Sequence, residues 1–417
     1  MPLNLTLDRN KKRSLYQQII TQIVDQIRQG ELPVGTRLPP LRQLAKTLSV
    51  TRLTVHNAYS ELQAQGWVES VVGRGTFVAE AGSSHLKLAT LEQAISPESV
   101  IGDLTPLSQV PGIRFLASAF PDDTLMPMTD FWQSLNQLQA HGGSLLQYSV
   151  PQGEPQLRVE LAPLLEERGV SVTPDDLIIT AGATQGAALV AQALANRGDT
   201  VLVEQPTYHG FINTLTSQGV HIIGVPRDQA GIRLDILERL IIQERPRFFY
   251  VVPNFHNPTG WLLPLAQRQE LLDMAGRYGL LLVEDDVYGR LSYLDSEPPA
   301  LKALDQREAV IYLSSFSKDL MPGVRIGYLV APPSLKKRLL ALRGAADLFG
   351  SQIFQLAVAD MLRRKKFKPH LRRVRPIYRQ KRDVMLQTLA ECMPNYVRWS
   401  EPAGGFACWL TLPDDSR

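Results

Sequence analysis

Asp176-Leu-Ile-Ile-Thr-Ala-Gly-Ala-Thr-Gln-Gly186 sets the architecture of most of this chain. A short apolar run over 176–180, too short for a helix, meets Gly182 and opens into an alanine-rich stretch, the pattern of strand, turn and helix. The first N–H groups of such a helix have no partner within it, so they and the helix dipole favour an anion, ideally a phosphate. Taken alone, the turn fits a plain connection equally well. The same short runs recur downstream, at Thr200-Val-Leu-Val-Glu204, Phe248-Phe-Tyr-Val-Val252, Leu280-Leu-Leu-Val-Glu284 and Val310-Ile-Tyr-Leu-Ser314. Helix-length amphipathic stretches, such as residues 264–278, separate them. This rhythm predicts an α/β sheet covered on both faces, with functional groups gathered where its strands end.

The residues at those ends are chemically coherent. The run 248–252 delivers Asn257 before Pro258, an amide in a constrained turn. The run 280–284 delivers Asp285 and, three residues on, Tyr288. The run 310–314 delivers Ser315, Ser317 and Lys318, with Arg325 seven residues beyond. Each piece has a bland reading, a turn asparagine, a solvated acidic turn or a surface lysine. Together they fit one ligand. An aldehyde needs Lys318, a pyridinium nitrogen needs Asp285, and a phenolate oxygen needs Asn257 and Tyr288. A phosphate needs Ala183, Thr184 and Gln185 with Ser315 and Arg325. That ligand is pyridoxal 5′-phosphate (PLP), whose ring is an electron sink tuned by its acidic partner.

Residues 113–417 resemble fold-type I aminotransferases, especially the class I branch near kynurenine and aminoadipate aminotransferases. The resemblance makes Lys318 the Schiff-base lysine, stacks Tyr208 of Glu204-Gln-Pro-Thr-Tyr-His-Gly210 on the ring, and sets Ala183, Thr184, Ser315, Ser317 and Arg325 around the phosphate. It also makes Tyr148 a residue that reaches the partner subunit's phosphate, and so implies a homodimer. The implied body has a large domain over about 150–330 and a small α+β domain from 113–149 and 331–417. In that family the arginine that binds the substrate carboxylate lies beyond the segment matching Gly404-Gly-Phe-Ala-Cys-Trp409. The chain reaches Arg417 before any such motif, so the expectation is a truncated C-terminus, with Leu410-Thr-Leu-Pro413 a strand cut off from its small domain.

Upstream the pattern changes. Leu15, Ile19, Ile23 and Ile27 form one stripe of a helix closed by Gly30, and residues 38–48 read as a second, short helix. Thr51 caps a third, running to about Gln65, with Val55, Ala58, Tyr59 and Leu62 inward and Arg52, His56 and Asn57 outward. Residues 67–71 and 76–79 bracket Gly73-Arg74-Gly75 as a hairpin with a basic tip. These parts make a winged helix-turn-helix whose third helix enters the major groove of double-stranded DNA.

Gly35-Thr-Arg-Leu-Pro39, Arg42-Gln-Leu-Ala45, Thr51-Arg52, Thr54-Val55 and Ala58-Tyr59 resemble the DNA-binding head of GntR-type regulators. The resemblance makes Arg42, Thr51, Arg52 and Thr54 DNA-contacting and Arg74 part of the wing, with His56 beside them. Pro40 departs from it, standing where a small capping residue is usual, as does Leu53, where a polar one is common.

The predicted fold class is therefore multi-domain: a winged helix-turn-helix over 8–80, a Ser-, Ala-, Pro- and Gly-rich linker over 81–112, and the aminotransferase-like body. Residues 1–80 carry ten Lys/Arg against six Asp/Glu, so the chain's positive excess sits in the head. The basic stretch Arg363–Arg382 reads first as a solvated helix face, with a secondary DNA surface as the alternative.

Two cysteines build neither a disulfide framework nor a zinc clamp, and no metal is expected. With no signal-like start and no apolar run of about 20 residues, the expectation is a cytoplasmic protein with no membrane segment. A GntR-like head on an aminotransferase-like body resembles the MocR-type regulators. That resemblance implies a DNA-binding regulator whose PLP body senses an amine, an amino acid or PLP itself. The competing reading is an active aminotransferase with a DNA-binding appendage.

Overall fold

The computed structural model describes residues 5–7, 15–48, 50–64, 67–71, 75–78, 116 and 118–413. The connection read over 81–112 lies outside the described residues, as do Arg74 and the ends of the predicted head. The chain divides into two compact units, residues 1–113 and 114–417.

Among its described residues the first unit has three helices, Leu15–Arg28, Leu41–Thr47 and Arg52–Ala64, followed by β1 (Val68–Val71) and β2 (Gly75–Val78), an antiparallel pair. The stripe Ile19, Ile23 and Ile27 closes on Leu44, Val55, Ala58, Leu62, Val68 and Val78, all buried. Thr51 caps the third helix as expected, its hydroxyl accepting the Thr54 N–H at 3.2 Å. The second helix begins three residues later than expected, at Leu41. Pro40 stands at its cap and makes no side-chain bond, so the turn is closed through the Pro40 carbonyl, which accepts from Gln43 and Leu44.

The second unit is built on eight strands: β3 (Leu177–Thr180), β4 (Thr200–Gln205), β5 (His221–Asp228), β6 (Gly231–Ile232), β7 (Phe248–Val251), β8 (Leu281–Asp285), β9 (Val310–Ser315) and β10 (Gly327–Val330). Their order across the sheet is β3-β10-β9-β8-β7-β4-β5-β6. β10 runs antiparallel to both of its neighbours, and β4, β7, β8 and β9 pair in parallel. The period of two sorts the side chains. Phe248 and Tyr250 join one buried layer with the helix Ala183–Leu194, while Phe249 and Val251 join another with the helix Leu265–Tyr278. Helices therefore cover both faces of the sheet. A further core gathers Met128–Gln137, Pro155–Glu166, Gln352–Arg363 and the long helix Phe367–Cys392, beside the small pair β11 (Arg398–Trp399) and β12 (Leu410–Thr411).

Strand ends shift by a residue from the sequence reading. Asp176 lies outside its strand, in the 3-10 turn Pro174–Asp176, because its carboxylate is engaged by the Thr173 N–H and hydroxyl. Asp285 and Ser315 are the last residues of their strands rather than the first beyond them, since β8 pairs with β9 through Asp285 and β9 pairs with β10 through Ser315. The stretch Arg363–Arg382 is not simply solvated. Lys366 pairs with Asp130, Lys368 with Glu167, Arg375 with Glu297 and Lys381 with Asp122, so these cations tie the long helix to its surroundings.

Candidate functional site

Strand order sets the order of the site. β3, β9, β8, β7 and β4 all point the same way, so the residues after them converge on one edge of the sheet. β10 is reversed between β3 and β9, which brings Arg325, two residues before it, between the turn after β3 and the turn after β9. One cavity opens on this edge. It is lined by Ala183, Thr184, Tyr208, Asn257, Asp285, Tyr288, Ser315, Ser317, Lys318 and Arg325, ten of the twelve cofactor-site residues expected from the sequence.

At one end backbone and cation make a cradle. Gly182, at φ 83°, precedes the helix that starts at Ala183. The Ser315 hydroxyl accepts from Ser317 N at 3.0 Å and donates to the Ile326 carbonyl at 2.9 Å. Arg325 donates to the Ala181 carbonyl at 3.0 Å and to Ser317 Oγ at 3.4 Å. A Cβ at Gly182 would lie 2.7 Å from Arg325 Nη2, and one at Gly327 would lie 2.4 Å from the Gly182 carbonyl carbon. The close approach of the two backbones therefore depends on glycine at 327, while Gly182 holds a positive φ that other residues rarely adopt.

At the other end are the titrating groups. Asp285 is buried and accepts from Tyr250 Oη at 2.7 Å and from Val287 N at 3.3 Å. Burial pushes its carboxyl up to about 6 against the pull of those two bonds. Lys318 sits in the single helical turn Phe316–Asp319. Burial lowers its ammonium, Asp285 opposes this and Arg325 adds to it. Its Nζ donates to the Ala119 carbonyl at 2.7 Å and lies 5.7 Å from the Phe120 ring centroid. Asn257 Nδ2 is 3.5 Å from Tyr288 Oη, so the amide and the phenol face the cavity together. Burial raises the Tyr288 phenol well above its ordinary value. The neighbouring Asp286 faces away and is fully engaged, by Arg168 at 2.6 Å, Asn254 at 2.6 Å and Tyr312 at 2.9 Å. The alternation along the strand separates the two aspartates into one structural and one cavity-facing group.

Of the other two, only Gln185 departs from the expectation, since Tyr148 is expected at the partner subunit's site. The Gln185 side chain does not line the cavity: its carboxamide accepts from Ala181 N at 2.7 Å and donates to Asp347 at 3.0 Å, which braces the turn from behind. Tyr148 is 83% exposed, its ring edge-on to Phe349 at 5.5 Å. Sequence reasoning missed Tyr250, Ala119 and Phe120. Tyr250 left a signal, because a tyrosine inside an otherwise apolar buried strand must find an acceptor.

The donor set fits a phosphorylated pyridine aldehyde. It combines an anion cradle without side-chain bulk, a cavity amine of lowered basicity, a buried carboxylate, and an amide–phenol pair for a ring oxygen. In the first unit Arg42, Thr51, Arg52 and His56 are exposed, while Thr54 is half-buried with its hydroxyl 2.9 Å from that of Thr51. Arg42, Arg52 and His56 thus lie exposed on the second and third helices.

The fold and cavity define an aminotransferase class I and II domain, and the model of that family matches residues 111–416. Residues 15–78 match the bacterial regulatory proteins of the gntR family. The HTH-type transcriptional regulator YdcR of Escherichia coli is 32% identical over 96% of this chain and 86% of its own. The probable rhizopine catabolism regulatory protein MocR of Rhizobium meliloti is 29% identical over 95% and 80%. The crystal structure of LysN, the alpha-aminoadipate aminotransferase of Thermus thermophilus, superposes with a TM-score of 0.71 at 35% identity, covering 78% of this chain and 83% of that one. The chain belongs to the MocR-type family, in which a GntR helix-turn-helix head is joined to a class I aminotransferase domain, and PLP is the cofactor of that domain.

Proposed function

We propose that this chain is a PLP-dependent transcriptional regulator that senses an amine, an amino acid or PLP itself through the amine of Lys318. The observation that carries the proposal is the pairing, in one chain, of the cavity holding Lys318, Asp285, Asn257 and Tyr288 with a helix-turn-helix unit exposing Arg42, Arg52 and His56. When bound, the cofactor supplies a carbonyl with which amines condense and a ring that withdraws electrons.

The chain's own residues do the rest. Ala183, Thr184, Ser315, Ser317 and Arg325 would hold the phosphate, Asn257 and Tyr288 the ring oxygen, Tyr208 would cover the ring and Asp285 would partner its nitrogen. Lys318 Nζ, kept less basic by burial, would serve as the nucleophilic amine. Exchange at Lys318 must change the relative stability of two body conformations for the head, reached through a linker over 81–112, to respond.

The working assembly is a cytoplasmic homodimer in which Tyr148 completes the partner's phosphate site and two heads read two half-sites. Among the described residues no helix is long and apolar enough to cross a membrane.

A second reading, an active aminotransferase with an appended head, is favoured by the completeness of the cavity. The test is fluorescence anisotropy with DNA from the gene's own upstream region, over a salt series and against unrelated DNA, with PLP loaded. Selective binding with a steep salt slope and no repeated conversion of amino acid to oxo acid is expected. Binding no tighter than to unrelated DNA, together with sustained turnover, would reverse the assignment.

A further inference from the structure

A tyrosine in a strand buried on both faces needs an acceptor for its hydroxyl. β7 pairs Tyr250 with Val283 of β8, so Asp285, two residues further along β8, projects from the same face of the sheet. Tyr250 is fully buried, its ring stacked on Phe211 with centroids 4.1 Å apart, and its hydroxyl donates to Asp285 Oδ2 at 2.7 Å. The second carboxylate oxygen accepts the Val287 N–H at a looser 3.3 Å.

We propose that Tyr250 is a positioning residue, holding one oxygen of Asp285 so that the group stays a carboxylate turned toward the cavity. The inference rests on the PLP reading above and gives that site its electrostatic support. Three titratable groups face Asp285, Tyr250 from β7, Tyr288 from its own segment and Lys318 from the turn after β9, while the charge of Asp286 acts on it from the opposite side of the chain. Burial and Asp286 favour the neutral acid, while Tyr250, Val287 N and Lys318 favour the anion. Removing the phenol hydroxyl takes away the shortest of these bonds at a dry site, where a lost charge-assisted bond is felt most. A neutral Asp285 no longer supports a positive ring nitrogen. Without that charge nearby, Lys318 Nζ holds its proton more tightly once the cofactor is in place.

The test is a pH titration of the visible absorbance of the PLP-loaded full chain, with PLP affinity from fluorescence quenching. It compares wild type, Tyr250→Phe and Tyr312→Phe. Tyr312 is a buried phenol on the adjacent strand β9 that donates instead to Asp286. Tyr250→Phe should raise the pH midpoint and weaken PLP about tenfold, the loss expected for one hydrogen bond to a charged group. Tyr312→Phe should leave the midpoint where it is. A Tyr250→Phe midpoint equal to wild type overturns the proposal, and so do equal shifts in both variants, which would report loosened packing. Absence of a visible band in the wild type would overturn the PLP reading itself. Should Tyr250→Phe fail to fold, 3-fluorotyrosine inserted at position 250, a more acidic donor, must lower the midpoint. An unmoved midpoint there also overturns the proposal.

Discussion

Gly327→Ala puts the phosphate cradle to its most direct trial. An added Cβ would stand 2.4 Å from the Gly182 carbonyl carbon and 2.7 Å from Ala183 N, both backbone atoms with no rotamer to escape into. Carbon contacts settle at about 3.5 Å, so the turn after β3 must retreat by about 1 Å. Overpacking of this kind costs about 2 kcal/mol, which in a domain of this size lowers Tm by about 3 °C. The same retreat carries the first N–H groups of the helix Ala183–Leu194 away from Arg325. Loss of one charge-assisted hydrogen bond to phosphate then weakens PLP about 10- to 100-fold.

Gly323→Ala is the control, because a Cβ there meets nothing within 4 Å. Thermal unfolding and a PLP titration of the two variants decide the matter. A Gly327→Ala protein with the wild-type Tm and wild-type PLP affinity would refute the view that this turn cradles the phosphate.

Glu204→Gln leaves Arg227 buried without its charged partner and should cost about 3 kcal/mol in urea unfolding. Burial works to raise the Glu204 carboxyl, but Arg227 and His256 outweigh it and hold it below its ordinary 4.5. The stability it confers is thus present above that value and lost as pH falls, so the gap between variant and wild type should close in acid. His370 is pushed down to about 4 by burial, with Arg373 adding to the effect. The unfolded chain takes up that proton first, so stability drains as pH falls from 6.5 toward 4, and His370→Phe should show a flatter profile of urea midpoints over that range. In the head, Arg52→Ala should cost about 1–3 kcal/mol in specific DNA binding and relax the preference at one base pair, as read by anisotropy against single-base operator variants.

Much of this was legible because strand ends and their cargo are local in sequence. Asp285, Asn257, Tyr288, Lys318 and Arg325 each follow or precede a short apolar run, and a parallel sheet brings such ends together whatever else the chain does. What escaped were contacts set by register and by distant packing. The link from Tyr250 to Asp285 depends on how β7 aligns with β8, and nothing within either run encodes that alignment. Gln185 was placed beside the phosphate by its position at a helix start, but Asp347, far along the chain, draws its carboxamide away. The cations between 363 and 382 looked solvated because Asp122, Asp130, Glu167 and Glu297 are remote in sequence.

The cavity is built of unequal materials at its two ends, and that bears on how it can be altered. At residue 327 the wall meets bare backbone, where even one methyl group collides with atoms of Gly182 and Ala183 that cannot turn aside. Over Lys318 the roof is Phe120, a side chain 65% exposed and free to be exchanged for another of different size. Randomising the glycines would discard nearly every member of a library before selection began. Diversity placed at Phe120 would survive folding, so the shape of this cavity is best altered at its roof.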